Sequence, residues 1–211
     1  TPVVSGNVSL YNETDGNAIK PCPVIGMVGL IDDWQNAGTI ALPSETALFI
    51  IGQDATTNSG WLSNSIYAKS LAKHVGGAPP QIDLEAELQT GLFILSCYQN
   101  ELVQAAHDIS DGGMLVALAE MMIAGNHGAN ITLPDKLDPH SWCFAENQSS
   151  YIIATNNPDE LMRHAEQAQI PFIHLGKSIS NQELKISNGE LISIEELRNS
   201  YETGLRSQLE K

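Results

Sequence analysis

The sequence predicts an α/β (α+β) protein, in which the strand-rich tail of one domain precedes a complete second domain with a mixed sheet flanked by helices. Three observations predict this fold. Residues 1–52 contain three strand-like segments, residues 54–60 (DATTNSG) are small and polar without periodicity, and from residue 61 strand-like runs alternate with helical spacing. Such alternation is typical of sheets covered by helices. We therefore expect domains at residues 1–60 and 61–211.

The first domain is expected to contribute β-strands. Residues 1–14 alternate, with Gly6 and three apolar residues on one side, which are Val4, Val8 and Leu10. The other side carries polar groups, which are Ser5, Asn7, Ser9, Tyr11 and Glu13. This period of two predicts a strand, followed by a turn at residues 15–17. Residues 21–31 predict a second, largely buried strand, and residues 47–51 predict a third.

The second domain is expected to alternate helices and strands. Apolar spacing predicts helices at residues 62–75, 85–100, 114–124, 159–169 and 193–209. Short apolar runs predict strands at residues 103–106, 151–154, 172–175 and 184–187. Ser193 and Glu196 have the spacing of a capping box and should open the last helix.

Composition excludes several classes of protein. Twenty-five acidic residues against ten Lys and Arg give a formal charge of −15, which disfavours binding to nucleic acid or to an anionic membrane surface. No apolar run approaches the roughly 18 residues needed to cross a bilayer. The three cysteines, Cys22, Cys97 and Cys143, form no CxxC pair, which indicates reduced thiols and a cytoplasmic location.

The start of the chain is unusual. It begins Thr-Pro-Val-Val rather than with Met, and the strand-like alternation is already under way in these residues. Either a leader has been removed or the chain is a piece of a longer polypeptide. We expect a piece.

The polar strand face could bind a ligand. Asn7, Ser9 and Glu13 share that face, and a hard cation such as Mg²⁺ accepts the carboxamide oxygen of an Asn as a weak ligand. The same alternation is common in strands that face solvent on one side, and the pattern by itself favours that interpretation.

A second motif, HDISDGG at residues 107–113, joins a predicted strand to a predicted helix. Paired Asp and Gly at a helix start could hold an anion or a metal-bound phosphate. The structural alternative is favoured, with Asp111 as the N-cap, the glycines allowing close packing of the helix against a strand, and Asp108 or Ser110 tying the turn. The sequence contains no HExxH, Cys/His cluster, G-x-S-x-G or Walker-type loop.

Longer strings carry a more specific signal. SGNVSLYNET at 5–14 and IKPCPVIGMVGLIDD at 19–33 resemble the phosphoribosylformylglycinamidine synthase family of purine biosynthesis. HDISDGGMLVALAEM at 107–121 is similar to the C-terminal domain of the aminoimidazole ribonucleotide synthetase superfamily, and residues 184–209 resemble the family's C-terminus. The resemblance implies two pseudo-equivalent halves, each an N-type domain followed by a C-type domain. Residues 1–60 would be the tail of the second N-type domain, and residues 61–211 the second C-type domain.

The resemblance also implies a reaction and site residues. The family uses ATP to phosphorylate the amide oxygen of formylglycinamide ribonucleotide, and ammonia from glutamine then displaces the phosphate to give the amidine. By position in the motif, Gly6 would allow ATP to approach the backbone, Asn7 would ligate Mg²⁺ and Ser9 would bind the substrate. The catalytic groups would lie upstream, so the isolated chain should be inactive. Residues 145–149 (AENQS) take the place of the family's Glu-Ser-Gln-like segment in the second, non-catalytic copy, with Asn where Ser is usual, and no catalytic role is assigned to Glu146.

Partners follow from the same resemblance. The upstream portion of the enzyme, a glutaminase subunit and a small bridging subunit are implied. The alternative is a non-catalytic scaffold or nucleotide-binding module of the same superfamily. Retention of Gly6, Asn7 and Ser9 in register favours the enzyme.

Overall fold

The chain divides by its internal contacts into two units, Thr1–Gln35 and Asn36–Lys211, in the computed structural model. The structure describes residues 2–8, 12–19, 22–34, 37–52, 62–74, 76–134, 138–187, 189 and 191–209. No helix formed by these described residues combines the length and the apolar character needed to cross a bilayer.

The first unit contains a short β-hairpin. Strand β1 (Glu13–Thr14) pairs antiparallel with β2 (Asn17–Ala18). The two residues between them have positive φ angles, 51° at Asp15 and 77° at Gly16. An Asp-Gly pair accepts this left-handed geometry readily, and its twist matches that of the flanking strands. The predicted turn is therefore confirmed.

The two long strands expected in this unit are not formed by its described residues. Residues 2–8 and 22–31 have no regular secondary structure and are exposed, as at Val24 and Leu30, whose exposed fractions are 92% and 97%. A strand requires a neighbour to accept its backbone hydrogen bonds. Within the described part of the unit, the pairing of β1 with β2 is the one such ladder. The prediction of strands at 1–14 and 21–31 is therefore wrong for residues 2–8 and 22–31.

The second unit is built on a seven-stranded mixed sheet in the order β4-β6-β3-β7-β5-β8-β9. The strands are β3 (Ala47–Ile51), β4 (Ala105–Asp108), β5 (Gly128–Ile131), β6 (Tyr151–Thr155), β7 (Phe172–Ile179), β8 (Glu183–Ile186) and β9 (Leu191–Ser193). The β5–β8 pair is parallel, and the remaining neighbours are antiparallel.

Six helices formed by the described residues accompany this sheet, and they confirm the predicted fold class. They are α1 (Ile66–Ser70), α2 (Leu84–Gln99), α3 (Met114–Gly125), α4 (Pro139–Phe144), α5 (Pro158–Ala168) and α6 (Ile194–Leu209). Helix α6 begins at the predicted capping box, since the Ser193 hydroxyl accepts the N–H of Glu196 and the Glu196 carboxylate accepts the N–H of Ser193.

Each face of the sheet has its own hydrophobic core. Strand β3 directs Leu48 and Ile50 to a core that includes residues of α3, α4 and α6, and it directs Phe49 and Ile51 to a core formed with α2 and α5. Successive residues of a strand point to opposite faces, so an uninterrupted apolar run fits a strand that is covered on both sides.

The location of β3 bears on the domain division. Residues 47–51 were expected in the first domain, but they lie between β6 and β7 in the sheet of the second unit. The boundary at residues 60 and 61 stays a prediction, because residues 53–61 lie outside the described part of the chain.

Candidate functional site

The residues implied by the family resemblance lie in the first unit. Gly6 and Asn7 occupy the exposed segment 2–8, and Ser9 lies outside the described residues. A Cβ atom built on Gly6 would meet no heavy atom within 4 Å, so the chain itself leaves open space beside this backbone. Glu13, on the same predicted face, is exposed in β1.

The HDISDGG motif forms the connection from β4 to α3 in the second unit. The N–H of Gly113 donates to the carbonyl of Ser110 at 3.0 Å and closes the turn. Gly112 and Gly113 have φ angles of 83° and 79°, a region that favours glycine. The turn is thus tied by the backbone of Ser110, while the Asp108 side chain bonds to His107 instead.

Helix α3 is not capped by Asp111 as predicted. Its N-cap is Gly113, which has no side chain to donate or accept a capping bond, and Asp111 is exposed in the preceding turn. Glycine fits position 113 for a steric reason, because a Cβ there would lie 2.6 Å from the carbonyl carbon of Phe144 and 2.9 Å from the carbonyl oxygen of Ala145. The start of α3 therefore presses directly against the backbone at the end of α4. Gly113 thus allows close packing, but its neighbour is the end of a helix and not the strand that was predicted.

Glu146 connects this loop to a distant part of the chain. Its Oε1 atom accepts the N–H of Gly112 at 2.9 Å and the N–H of Ile66 at 2.8 Å. The two donors belong to the glycine loop and to the first turn of α1. One carboxylate thus supplies partners for two backbone donors, which satisfies groups that helix and loop geometry leave unpaired.

His107 occupies the end of β4 between two carboxylates. Its Nδ1 lies 3.1 Å from Asp108 Oδ1, and its Nε2 lies 2.9 Å from Glu120 Oε2. Because Glu120 belongs to α3, this contact fixes the helix to the edge strand. Tyr151 lies opposite Asp108 in the sheet, and its pKa is raised by burial, with smaller contributions from the negative charges of Glu87 and Asp108.

A small polar cavity of about 150 Å³ lies beside the loop. Its polar lining comes from Ser63, Asn64, Ser110, Asp111, Glu146 and Gln148. Two carboxylates in this lining repel a bare phosphate, and Glu146 Oε1 is already engaged by two donors. Among the described residues, no group of three or more His, Cys, Asp or Glu side chains could hold a metal ion. The geometry favours the structural interpretation of HDISDGG.

Sequence reasoning did not identify the function of Glu146. Its contacts lie 34 and 80 positions away in the chain, so no local spacing indicates them. The one available signal is the pair of adjacent glycines, since the Gly113 N–H is satisfied within the turn and the buried Gly112 N–H requires an acceptor from elsewhere.

Comparisons with known proteins place this geometry in a family. Residues 46–187 match the family described as "AIR synthase related protein, C-terminal domain". The chain is 41% identical over 208 residues to "Phosphoribosylformylglycinamidine synthase subunit PurL" of Azorhizobium caulinodans, covering 97% of this chain and 28% of that protein. The protein of the same name from Zymomonas mobilis is 41% identical over 211 residues, with coverages of 97% and 28%. The chain therefore spans little more than a quarter of the length of these curated relatives.

Solved structures show the same fold. "T. maritima PurL complexed with FGAR" aligns with a TM-score of 0.62 at 17% identity, covering 76% of this chain and 29% of that one. "T. maritima PurL complexed with ATP" aligns with a TM-score of 0.57 at 17% identity, covering 76% and 27%. Together with a family match that extends over residues 46–187 of 211, these findings show that the chain belongs to the AIR synthase related proteins and contains their C-terminal domain.

Proposed function

We propose that this chain is a portion of an ATP-dependent synthase that converts formylglycinamide ribonucleotide, ATP and glutamine-derived ammonia to formylglycinamidine ribonucleotide, ADP, phosphate and glutamate in the cytoplasm. The observation that carries the proposal is the 41% identity, over 97% of the chain, to two curated proteins named "Phosphoribosylformylglycinamidine synthase subunit PurL". Two of the similar Thermotoga maritima structures are complexes of PurL with ATP and with FGAR, which supports the same substrates here.

Three neighbouring residues are proposed to contact the substrates. Gly6 would bring its backbone close to ATP, and the open space around its Cα is consistent with that approach. Asn7 would provide a carboxamide oxygen to Mg²⁺, and its position in an exposed segment leaves it accessible. Ser9 would hydrogen-bond formylglycinamide ribonucleotide through its hydroxyl.

The Mg²⁺ site would need ligands from outside this chain. Asn7 is neutral, and Mg²⁺ in proteins is held by carboxylates together with phosphate oxygens of the substrate. When bound, the ion would neutralise phosphate charge during phosphoryl transfer, a reaction that depends mainly on positioning and electrostatic stabilisation. The isolated chain is therefore proposed to be inactive.

The second unit is proposed to have a structural role in the enzyme. Its glycine loop and Glu146 are engaged with each other and with α1, which suits a structural role. A similar solved structure, "Structure of PurLQS from Thermotoga maritima", supports an assembly with further subunits, which we propose to be a glutaminase and a small bridging protein.

The test compares the complete synthase polypeptide with its Asn7→Ala variant. The measurement is ATP hydrolysis that depends on ammonia and formylglycinamide ribonucleotide, and Asn17→Ala in strand β2 is the matched control. A loss of at least roughly a hundredfold in Asn7→Ala alone is expected of a residue that positions a metal at the transferring phosphate. Unchanged turnover would remove Asn7 from the site. If the wild-type polypeptide itself shows no substrate-dependent hydrolysis, the alternative of a non-catalytic scaffold or nucleotide-binding module replaces the enzyme.

A further inference from the structure

Helix α2 carries a stripe of four leucines on its outer surface. Leu84, Leu88, Leu92 and Leu95 are exposed by 77%, 55%, 51% and 59%. They follow one another at intervals of four, four and three residues, so they lie on one face of the helix. We call these four side chains the leucine stripe.

The opposite face of α2 is also apolar. Phe93, Ile94 and Cys97 are buried in the core that α2 forms with β3, β6 and α5. A surface helix ordinarily has one apolar face and one polar face. Apolar residues on two opposite faces are typical of a helix that is enclosed on both sides, and the second unit encloses one of them.

Gly91 provides a second, independent observation on the same helix. Glycine in a helix interior is destabilising relative to alanine, because it loses more backbone freedom on folding. A Cβ atom at Gly91 would meet no heavy atom within 4 Å, so no contact with the described residues requires glycine. At 100° per residue, Gly91 falls on the exposed side of α2 beside Leu84 and Leu95. A glycine on that side allows another backbone to approach closely.

We propose that the leucine stripe and Gly91 form the docking surface for another part of the same synthase polypeptide. The apolar side chains of that part would pack against the leucine stripe, and its backbone would approach α2 at Gly91. The proposal rests on the proposed function, in which this chain is a portion of a longer enzyme. The curated relatives are more than three times as long as the stretch that matches this chain, so the polypeptide offers such a segment.

The size of the stripe favours a covalently connected occupant over a separate molecule. The exposed surface of its four side chains equals that of between two and three fully exposed leucines. Stable complexes between separate proteins bury roughly 800 Å² on each partner, far more than this stripe provides. A segment of the same polypeptide is held nearby by its connection, so a small apolar contact is sufficient.

The test measures thiol accessibility in the complete polypeptide, without any partner subunit. Leu88→Cys and Gln89→Cys are prepared separately in a Cys22→Ser background, and their rates of reaction with a maleimide are compared with the rates in guanidinium chloride. Relative to the rate in guanidinium chloride, the maleimide reaction of native Leu88→Cys should be slowed at least roughly tenfold more than that of native Gln89→Cys. Position 89 lies on α2 outside the leucine stripe. Equal reactivity in the native and denatured Leu88→Cys protein would overturn the proposal.

Further measurements distinguish other occupants. Protection that disappears on dilution would assign the stripe to a second copy, and protection that requires added glutaminase or bridging subunit would assign it to that partner. Either result overturns the proposal.

Gly91→Ala tests the close approach of a backbone at Gly91. It should lower the melting temperature of the complete enzyme if a backbone packs there and raise it if the face is open to water. The mass of the natural polypeptide separates this proposal from the preceding one. A protein no longer than this chain refutes the proposed function, whereas a longer protein with a reactive Leu88→Cys refutes the docking surface alone.

Discussion

The carboxylate of Glu146 accepts the backbone N–H of Gly112 at 2.9 Å, and the same oxygen accepts the N–H of Ile66 at 2.8 Å. Three segments far apart in the sequence therefore meet at one atom. Gly112 is buried, so its N–H would have no ready replacement partner in water. Glu146 therefore joins the glycine loop to the start of α1, which is a structural role.

Glu146→Ala should destabilise the second unit. Removal of the acceptor leaves two backbone donors without a partner, which costs about 1–3 kcal/mol for a buried group. Glu146→Gln keeps an amide oxygen in place and should lose less. Urea unfolding followed by far-UV circular dichroism measures both changes.

The control for this prediction is Gln148→Ala, two positions along the same segment. Its side chain is exposed, so the free energy of unfolding should change by no more than about 0.5 kcal/mol. Equal losses in Glu146→Ala and Gln148→Ala would show that the contact with Gly112 contributes nothing.

Gly113→Ala should also destabilise the second unit. The added Cβ would lie 2.6 Å from the carbonyl carbon of Phe144, and the φ angle of 79° is unfavourable for alanine. The backbone conformation alone costs about 1–2 kcal/mol, and relief of the clash requires α3 and α4 to separate. We expect a total loss above about 2 kcal/mol by urea unfolding.

Gly204→Ala in α6 is the matched substitution. A Cβ there would meet no heavy atom within 4 Å, and alanine favours a helix by up to about 1 kcal/mol over glycine. A stability in Gly113→Ala at or above that of Gly204→Ala would contradict the steric account of the α3 start.

The parts of the fold that the sequence predicts are those with a strong local pattern. Strand β3 and helix α3 are continuous apolar runs, and their bounds agree closely with the predicted ranges 47–51 and 114–124. Strand β5 (GANI) and helix α4 (PHSWCF) are short and lack a periodic apolar pattern, and neither was predicted. Their formation depends on pairing and packing partners that are distant in sequence.

The candidate site also contains some features that a local sequence pattern predicts and others that it does not. The string around Gly6 and Asn7 identifies the family because it is specific, although its strand is not formed in the described residues. Conversely, the loop at residues 107–113 has a clear local signal for a helix start, but the N-cap of α3 is Gly113, packed against the backbone of Phe144, and not Asp111. The preference of Asp for N-cap positions does not indicate that packing.

Cysteine reactivity should separate the three thiols. Burial raises the pKa of the Cys97 thiol to about 12 and that of Cys143 to about 11, whereas Cys22 is exposed. At pH 8 a thiol with a pKa of about 12 is ionised in about one part in ten thousand, and the thiolate is the reactive form.

Titration with Ellman's reagent at pH 8 should therefore detect one rapidly reacting thiol in the native chain and three in guanidinium chloride. Cys22→Ser should abolish the rapid phase. A second rapid equivalent in the native protein would show that the cores around Cys97 or Cys143 open on the timescale of the reaction.

The capping box of α6 should make stability depend on pH. Hydrogen bonds from the side chain and then the backbone of Ser193 lower the pKa of Glu196. A carboxyl with a lower pKa in the folded state stabilises the protein above its unfolded pKa, and this contribution is lost as pH falls through the folded value. The difference in melting temperature between wild type and Glu196→Gln should therefore be present at pH 7 and decline from about pH 4.3, the ordinary glutamate value, downward. Glu195→Gln, in the same first turn, is the control, since it removes a comparable interaction with the helix dipole and leaves the contact between Glu196 and Ser193 in place. If Glu195→Gln and Glu196→Gln give the same pH profile, the helix dipole accounts for the effect and the hydrogen bonds from Ser193 do not.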